Sequence, residues 1–556
     1  MSSLSFRLIS SAHKCFEDTP VDSLRQLVHA TALKNDRFAF EAALSSSDNR
    51  KVCVRLESAL KDYITIRRIA CVEVAHPAYA TTVDTDYLRG KQPGRYPDLL
   101  LPLGYNDSVV LSANTTVSFW IEAKLPESVE AGLYPITVSV YTPEGEMLLS
   151  ERMELEVIAA VLPEQKLTYT QWFHCDCLAT YYGVDVFSEA HWRILESFLQ
   201  TAVDNGMNML LMPVFTPPLD TAVGGERPTV QLVKVIKNGD TYSFDYTLVE
   251  RWLEMCERCG IRYHEISHLF TQWGAEHAPK IMATVDGEEK KLFGWETDSL
   301  SEEYIGFLRQ FIVSFKGYLK EKGVLENTMF HLSDEPGADH VERYIKLHAA
   351  LDDLFSDTVY ADALSGYEFY TTGAVKRPIV ATDHIEPFLE NHVPELWCYY
   401  CCGEHEKVSN RFIALSMNRT RVIGLQFFKY DIKGFLQWGY NFYYSYLSLH
   451  PIDPYICNDG ENNWVPAGDT FSVYPGPLGK PYESLHMAGF TQALSDLRAL
   501  ELYASLTSRE EAVAFIEEAA GQPITFSDYP RPGDFCVSLR EKLNRAIAEK
   551  LESQNV

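Results

Sequence analysis

Beyond Pro163 the chain alternates short apolar runs with amphipathic stretches for about 300 residues, a rhythm few folds accept. Apolar runs at 166–176, 207–214, 261–271, 328–333, 359–364, 379–384, 396–401 and 434–438 read as strands. Stretches with helical spacing at 189–204, 248–259, 302–322, 341–355 and 411–427 separate most of them, and Gly260 and Gly323 stop two of these helices. Asn238-Gly239 marks an inserted hairpin within 230–244. Eight strands with intervening helices predict a (β/α)8 barrel.

Residues 50–160 have a different period. Thr116-Val117-Ser118-Phe119-Trp120-Ile121-Glu122 and Met153-Glu154-Leu155-Glu156-Val157 alternate apolar with polar, and Thr142-Pro143-Glu144-Gly145 reads as a turn. Short alternating strands predict an N-terminal β-sandwich, with the first 45 residues carrying no clear pattern. The sequence from 484 onward is helix-rich. The expected division is therefore a β-rich domain over 1–163, a catalytic barrel over 164–500 and a helical extension over 501–556.

Charge narrows the partners. The 77 acidic residues outnumber 49 basic ones, for a formal charge of −28, which argues against nucleic acid and anionic membrane surfaces. No apolar run reaches the ~20 residues of a membrane helix, and the first residues lack the pattern of a secretory signal. The expected compartment is the cytoplasm, with the 12 cysteines reduced.

Within the barrel pattern, Phe330-His331-Leu332-Ser333-Asp334-Glu335-Pro336 ends the fourth strand on the one Asp-Glu dipeptide of the chain. The C-terminal ends of barrel strands carry the chemistry of such folds, and paired carboxyls suit glycosidic-bond cleavage. Other strand ends are aromatic and polar: Trp172-Phe173-His174-Cys175-Asp176, His268-Leu269-Phe270-Thr271-Gln272-Trp273, Asp362 on the fifth strand, Thr382-Asp383-His384 on the sixth, Tyr399 on the seventh, and Trp438-Gly439-Tyr440-Asn441 after the eighth. Sugars stack on aromatic rings while polar groups take their hydroxyls. Any one of these residues is explained by core packing, but a theme repeated at six strand ends is not. The predicted site therefore has Asp334 and Glu335 as catalytic groups. Its expected sugar contacts are His174, Asp176, Trp273, Asp362, Tyr399, Trp438 and Asn441.

His264-Glu265-Ile266-Ser267-His268 matches the zinc-peptidase signature H-E-x-x-H. That chemistry needs a helix. On the strand predicted here the two histidines lie ~13 Å apart, beyond the reach of one ion with bonds of ~2 Å. Cys256 and Cys259 fall on a helix with no second pair at finger spacing. No metal or other cofactor is expected. There is no G-x-S-x-G elbow, P-loop or dinucleotide fingerprint.

Ser333-Asp334-Glu335-Pro336 resembles the acid pair of family 123 glycoside hydrolases, which are β-N-acetylgalactosaminidases. Tyr96-Pro97-Asp98-Leu99-Leu100-Leu101-Pro102 and Ala131-Gly132-Leu133-Tyr134 are similar to the family's N-terminal β-domain, and residues 434–441 to its last barrel strand. The resemblance spans roughly 90–500. It implies a retaining, substrate-assisted mechanism in which Glu335 is the acid/base and Asp334 orients the 2-acetamido group. Glu483-Ser484-Leu485-His486 falls where many members carry an arginine. The alternatives are a retaining β-glycosidase of other specificity, and a carbohydrate-binding protein without catalysis.

Overall fold

The computed structural model describes residues 4–531 and 533–554. Eight parallel strands form the core of its larger half: β1 Thr168–Gln171, β2 Met209–Met212, β3 Tyr263–Ile266, β4 Thr328–Phe330, β5 Val359–Leu364, β6 Arg377–Ala381, β7 Trp397–Tyr399 and β8 Gly434–Gln437. They neighbour one another in sequence order, and β8 returns to pair with β1, Thr168 opposite Gly434. The β1–β2 seam has no regular ladder. It is drawn together by Asn208, whose N–H donates to the Tyr169 carbonyl (3.1 Å) and whose side-chain oxygen accepts from the Tyr169 N–H (2.8 Å). The barrel is therefore nearly closed.

All eight expected strands are present, most shorter than their apolar runs. The expected tail of β1 is instead the helix Cys175–Tyr182. The intervening helices are unequal, from Glu302–Glu321 before β4 to the five-residue Tyr367–Thr371 and Glu386–Glu390 around β6. Ser188 and Ser301 start two of the long ones, each side-chain oxygen accepting an N–H of the first turn. The expected helix 411–427 forms as two short ones, Met417–Arg421 and Ile423–Lys429. The Asn238-Gly239 hairpin forms and joins Ile281–Val285 and Glu288–Phe293 in a separate four-stranded sheet.

The N-terminal region is mostly sheet. Five of its strands make one sheet, which Pro481–Ser484 and Tyr474–Pro475 extend to seven, and five make another; side chains of both, among them Phe40, Phe119, Val54, Val138 and Leu155, share one buried cluster. The patternless first residues supply Leu4–Ser10, His29–Lys34 and Arg37–Ser46.

Two segments from beyond residue 480 return to the N-terminal sheets. Pro481–Ser484 adds to the seven-stranded sheet, Ser484 opposite Leu99. The last helix, Phe535–Gln554, returns to the N-terminal strands, where the Glu541 carboxylate accepts from the Thr31 N–H and Arg540 pairs with Asp36. Between the halves runs Leu485–Leu506, buried almost all round. Phe490 packs against Phe435 and Tyr169 of the barrel, while Leu485 and Ala488 pack against Leu100 and Trp120 of the sheet.

Candidate active site

The C-terminal mouth of the barrel holds a cavity of about 260 Å³. Trp172, Trp273, Tyr399, Trp438, Tyr446 and Trp464 give it aromatic walls; Asp220, Gln272, Asp334 and Glu335 supply polar groups. Adjacent residues of an extended strand face opposite ways, so two neighbouring acids share a cavity only if the chain turns. It does: β4 ends at Phe330, and Glu335 has φ 41°, a left-handed conformation unusual for a glutamate. Backbone bonds clamp this turn on both sides, from Glu335 N–H to the Ala363 carbonyl (3.0 Å) and from Trp273 N–H to that of Asp334 (2.8 Å).

Glu335 accepts a hydrogen bond from the Tyr399 hydroxyl at 2.7 Å, with the Cys401 thiol 3.9 Å from the same oxygen. Burial raises its pKa above the ordinary glutamate value, and the donors Tyr399, Cys401 and Trp273 pull it partly back. Asp334 is raised well above the ordinary aspartate value by burial and then by the Glu335 charge. Beneath the pair lies a fully buried ionic network. His331 reaches Glu265 at 2.5 Å and Asp362 at 3.6 Å. Burial alone would depress the His331 pKa, but the two carboxylates override it and hold it at about 10. Glu265 also accepts from the Trp172 indole (2.7 Å) and the Thr170 hydroxyl (2.8 Å), which fixes the ring at the cavity floor.

That network accounts for the H-E-x-x-H segment. His264 and Glu265 lie on a strand, and Glu265 is committed to His331. Among the described residues no group of three or more side chains is arranged to hold a metal ion.

Of the expected sugar contacts, Trp273, Tyr399 and Trp438 line the cavity, with Asp334 and Glu335. The other four stand behind its wall. Asp362 accepts from the Leu332 and Ser333 N–H groups at 2.9 and 3.2 Å, tying β5 to the acid turn. Asn441 accepts from the His174 N–H (2.8 Å) and donates to its carbonyl (3.1 Å), joining the loops after β8 and β1. The His174 ring contacts the Trp438 carbonyl at 2.9 Å, and burial with the adjoining Arg227 cation takes its pKa down to about 3. Asp176 is gripped through both oxygens by Arg227, at 2.7 and 2.8 Å. These residues set the loops, and each is already supplied with partners. Replacing Arg227 with methionine should strand the buried Asp176 carboxylate and cost about 3–5 kcal/mol. Chemical denaturation measures this; an unchanged midpoint would mean the pair contributes nothing.

Trp438 is anchored by its indole N–H on Asp469 at 2.9 Å. The following Gly439 is required by close approach, since a Cβ there would meet the Thr470 carbonyl oxygen at 2.5 Å. Trp172 and Gln272 fell within the strand ends singled out in the sequence but not among the expected contacts. Asp220, Tyr446 and Trp464 lie on excursions after β2 and β8 that carry no periodic signal. His486 donates from Nε2 to the Phe471 carbonyl (2.7 Å) and holds Nδ1 2.8 Å from the Asp98 carboxyl, fully buried between the halves and away from the cavity.

A carboxyl pair in an aromatic cavity at the C-terminal mouth of a parallel barrel is the arrangement of a glycoside hydrolase. The model of the glycoside hydrolase 123 catalytic domain matches residues 172–503. The chain belongs to family 123 of the glycoside hydrolases. The solved structure of a family 123 enzyme from Clostridium perfringens, described for glycolipid glycan hydrolysis, is similar over 100% of both chains, at 16% identity and a TM-score of 0.76. A β-glucuronidase from Parabacteroides merdae aligns 90% of this chain with 52% of that one, at 11% identity and a TM-score of 0.28. No curated protein sequence matches the chain significantly.

Proposed function

We propose that the protein is a retaining exo-β-N-acetylgalactosaminidase working by substrate-assisted catalysis, with Glu335 as acid/base and Asp334 as the group that orients the 2-acetamido substituent. The observation that carries this reading is the turn at Glu335, which points two adjacent carboxyls into one cavity while supporting them differently. Burial disfavours two charges side by side, so the pair shares a proton near neutral pH. Burial raises both carboxyls, and the donors around Glu335 oppose the rise there. An acetamido N–H donating to Asp334 would hold that carboxyl ionised. The proton would then sit on Glu335, against the glycosidic oxygen, while the acetamido oxygen attacks the anomeric carbon. Attack forms the C–O bond of an oxazolinium ion as the glycosidic bond breaks and Glu335 protonates the leaving oxygen. Water, deprotonated by Glu335, then reopens the ring with net retention.

The aromatic walls support a sugar stacked on Trp438 or Trp172, and among the described residues no lysine or arginine lines the cavity to meet an anionic sugar. The substrate is a carbohydrate chain ending in the β-linked amino sugar; the glycan of a glycolipid, on which the Clostridium enzyme acts, is one candidate. The two N-terminal sheets, which share a core, serve as a sandwich bracing the barrel. The test is hydrolysis of 4-nitrophenyl β-glycosides of N-acetylgalactosamine, N-acetylglucosamine and galactose. The acetamido sugars should be cleaved and galactose should not. Equal cleavage of plain galactose would rule out participation by the substituent.

A further inference from the structure

Trp273 has surroundings unlike those of the other tryptophans in the cavity. It lines the cavity and yet is 44% exposed, whereas Trp172 at the floor is 3% exposed. Its side chain donates to the Glu335 carboxyl and opposes the rise in that group's pKa. One residue therefore touches the catalytic acid and lies open to water. Tyr446, the other open aromatic of the lining, packs on Trp464 with ring centres 5.0 Å apart.

The backbone under this side chain is strained. Trp273 has φ 58° and Ala275 φ 54°, left-handed conformations that residues with a side chain seldom adopt. Each costs roughly 1–3 kcal/mol. The Trp273 N–H donates to the Asp334 carbonyl at 2.8 Å, and the Ser333 hydroxyl donates to the Thr271 carbonyl at 2.7 Å. The turn that carries the indole and the turn that carries the acids are thus bonded to each other at two points. A core tryptophan would offset such strain by the apolar area it removes from water. This one leaves nearly half of its surface wet, and a ligand that covers the ring supplies the missing burial.

We infer that Trp273 is the platform for the second sugar of the substrate, so that the protein is built for a terminal sugar linked to another pyranose rather than directly to an alkyl or peptide group. This rests on the reading of Glu335 as the acid. The oxygen that Glu335 protonates joins the terminal sugar to the leaving group, so the leaving group lies next to this carboxyl. Trp172 closes the floor, and the leaving group must therefore extend toward the mouth. There Tyr399 and Cys401 already occupy Oε1 of Glu335 from the β7 side, while Trp273 stands on the β3 side, in contact with the acid and open to water. A pyranose offers a flat face of C–H groups to such a ring. The shared contact also couples binding to chemistry. A sugar on Trp273 displaces water from Glu335, and desolvation favours the protonated, working form of the acid. Occupation of the platform should therefore appear in kcat as well as in KM.

The test compares two substrates with one terminal sugar and alkoxide leaving groups: N-acetylgalactosamine β-linked to galactose, and methyl β-N-acetylgalactosaminide. The wild type should favour the disaccharide in kcat/KM. Trp273→Ala should shrink that preference by about 5–10-fold, the range of one aromatic stacking contact. Trp273→Phe keeps a ring without the N–H and should retain most of it. Both variants should also lose rate on the methyl glycoside, since each removes a donor from Glu335, and the ratio of the two substrates cancels that loss. Thermal melts show that the variants fold. A wild type indifferent to the leaving group, an unchanged ratio in Trp273→Ala, or an equal fall in both variants would each overturn the assignment. Failure of the amino-sugar reading is separable. The terminal sugar cleaved would then be another, such as plain galactose, and the same Trp273 ratio would be read on its disaccharide and methyl glycoside.

Discussion

Exchanging Glu335 for glutamine is expected to lower kcat by about 10²–10⁴-fold on substrates with an alkoxide leaving group, the usual contribution of a general acid. The loss should be smaller in the first step for 4-nitrophenyl glycosides, because nitrophenolate departs without much help. That contrast separates a proton donor from a residue that merely shapes the cavity, which would affect both leaving groups alike. The pH profile gives a second reading. Burial raises the Glu335 pKa, so its protonated, working form persists above the pH at which an exposed glutamate ionises. Activity should fall as pH climbs through that raised value, and the alkaline limb should vanish in the glutamine variant. An unchanged limb would assign the acid to another group.

Asp334→Asn should be nearly as severe, about 10²–10³-fold in kcat/KM, the magnitude typical of losing one preorganised electrostatic partner of a developing charge. The asparagine keeps the shape and the turn. It cannot carry the negative charge that stabilises a positively charged oxazolinium, nor take the shared proton. The defect should therefore appear in kcat more than in KM. Azide added to this variant should not yield a glycosyl azide, because Asp334 is not the nucleophile. Recovery of that product would shift the mechanism to a carboxylate nucleophile, and near-normal kcat would remove Asp334 from the chemistry.

The barrel was legible because its signals are local. Ser188 followed by apolar residues at helical spacing places Glu189–Asp204 as observed, and the short, mostly apolar run at Val359–Leu364 does the same for β5. The opening strands were not, because Arg37–Ser46 is buried on both faces. Phe40 and Leu44 enter the core between the sheets while Ala39 meets the cluster around Leu485. Burial on two sides removes the alternation by which a strand is recognised. In the site, the acid pair was visible as a motif. Asp362 was misplaced where alternation could have placed it: Ala361 and Ala363 face the barrel interior, so the aspartate between them faces away. Asp220, Tyr446 and Trp464 reach the cavity through long irregular loops, where the sequence gives no register to count from.

The short strand Pro481–Ser484 has a consequence for how the protein is made. Its partner, Gly94–Pro102, leaves the ribosome about 380 residues earlier, which at ordinary elongation rates is roughly 20–80 s. For that interval the seven-stranded sheet has an open margin able to recruit another chain. Pro97 and Pro102 lack the N–H such a recruit would need, which confines the sticky stretch to the few residues around Leu99 and Leu100 that Pro481–Ser484 later covers. A nascent chain stalled before residue 481 would keep that margin bare, and it is there that a holding chaperone or a second nascent chain would find its grip.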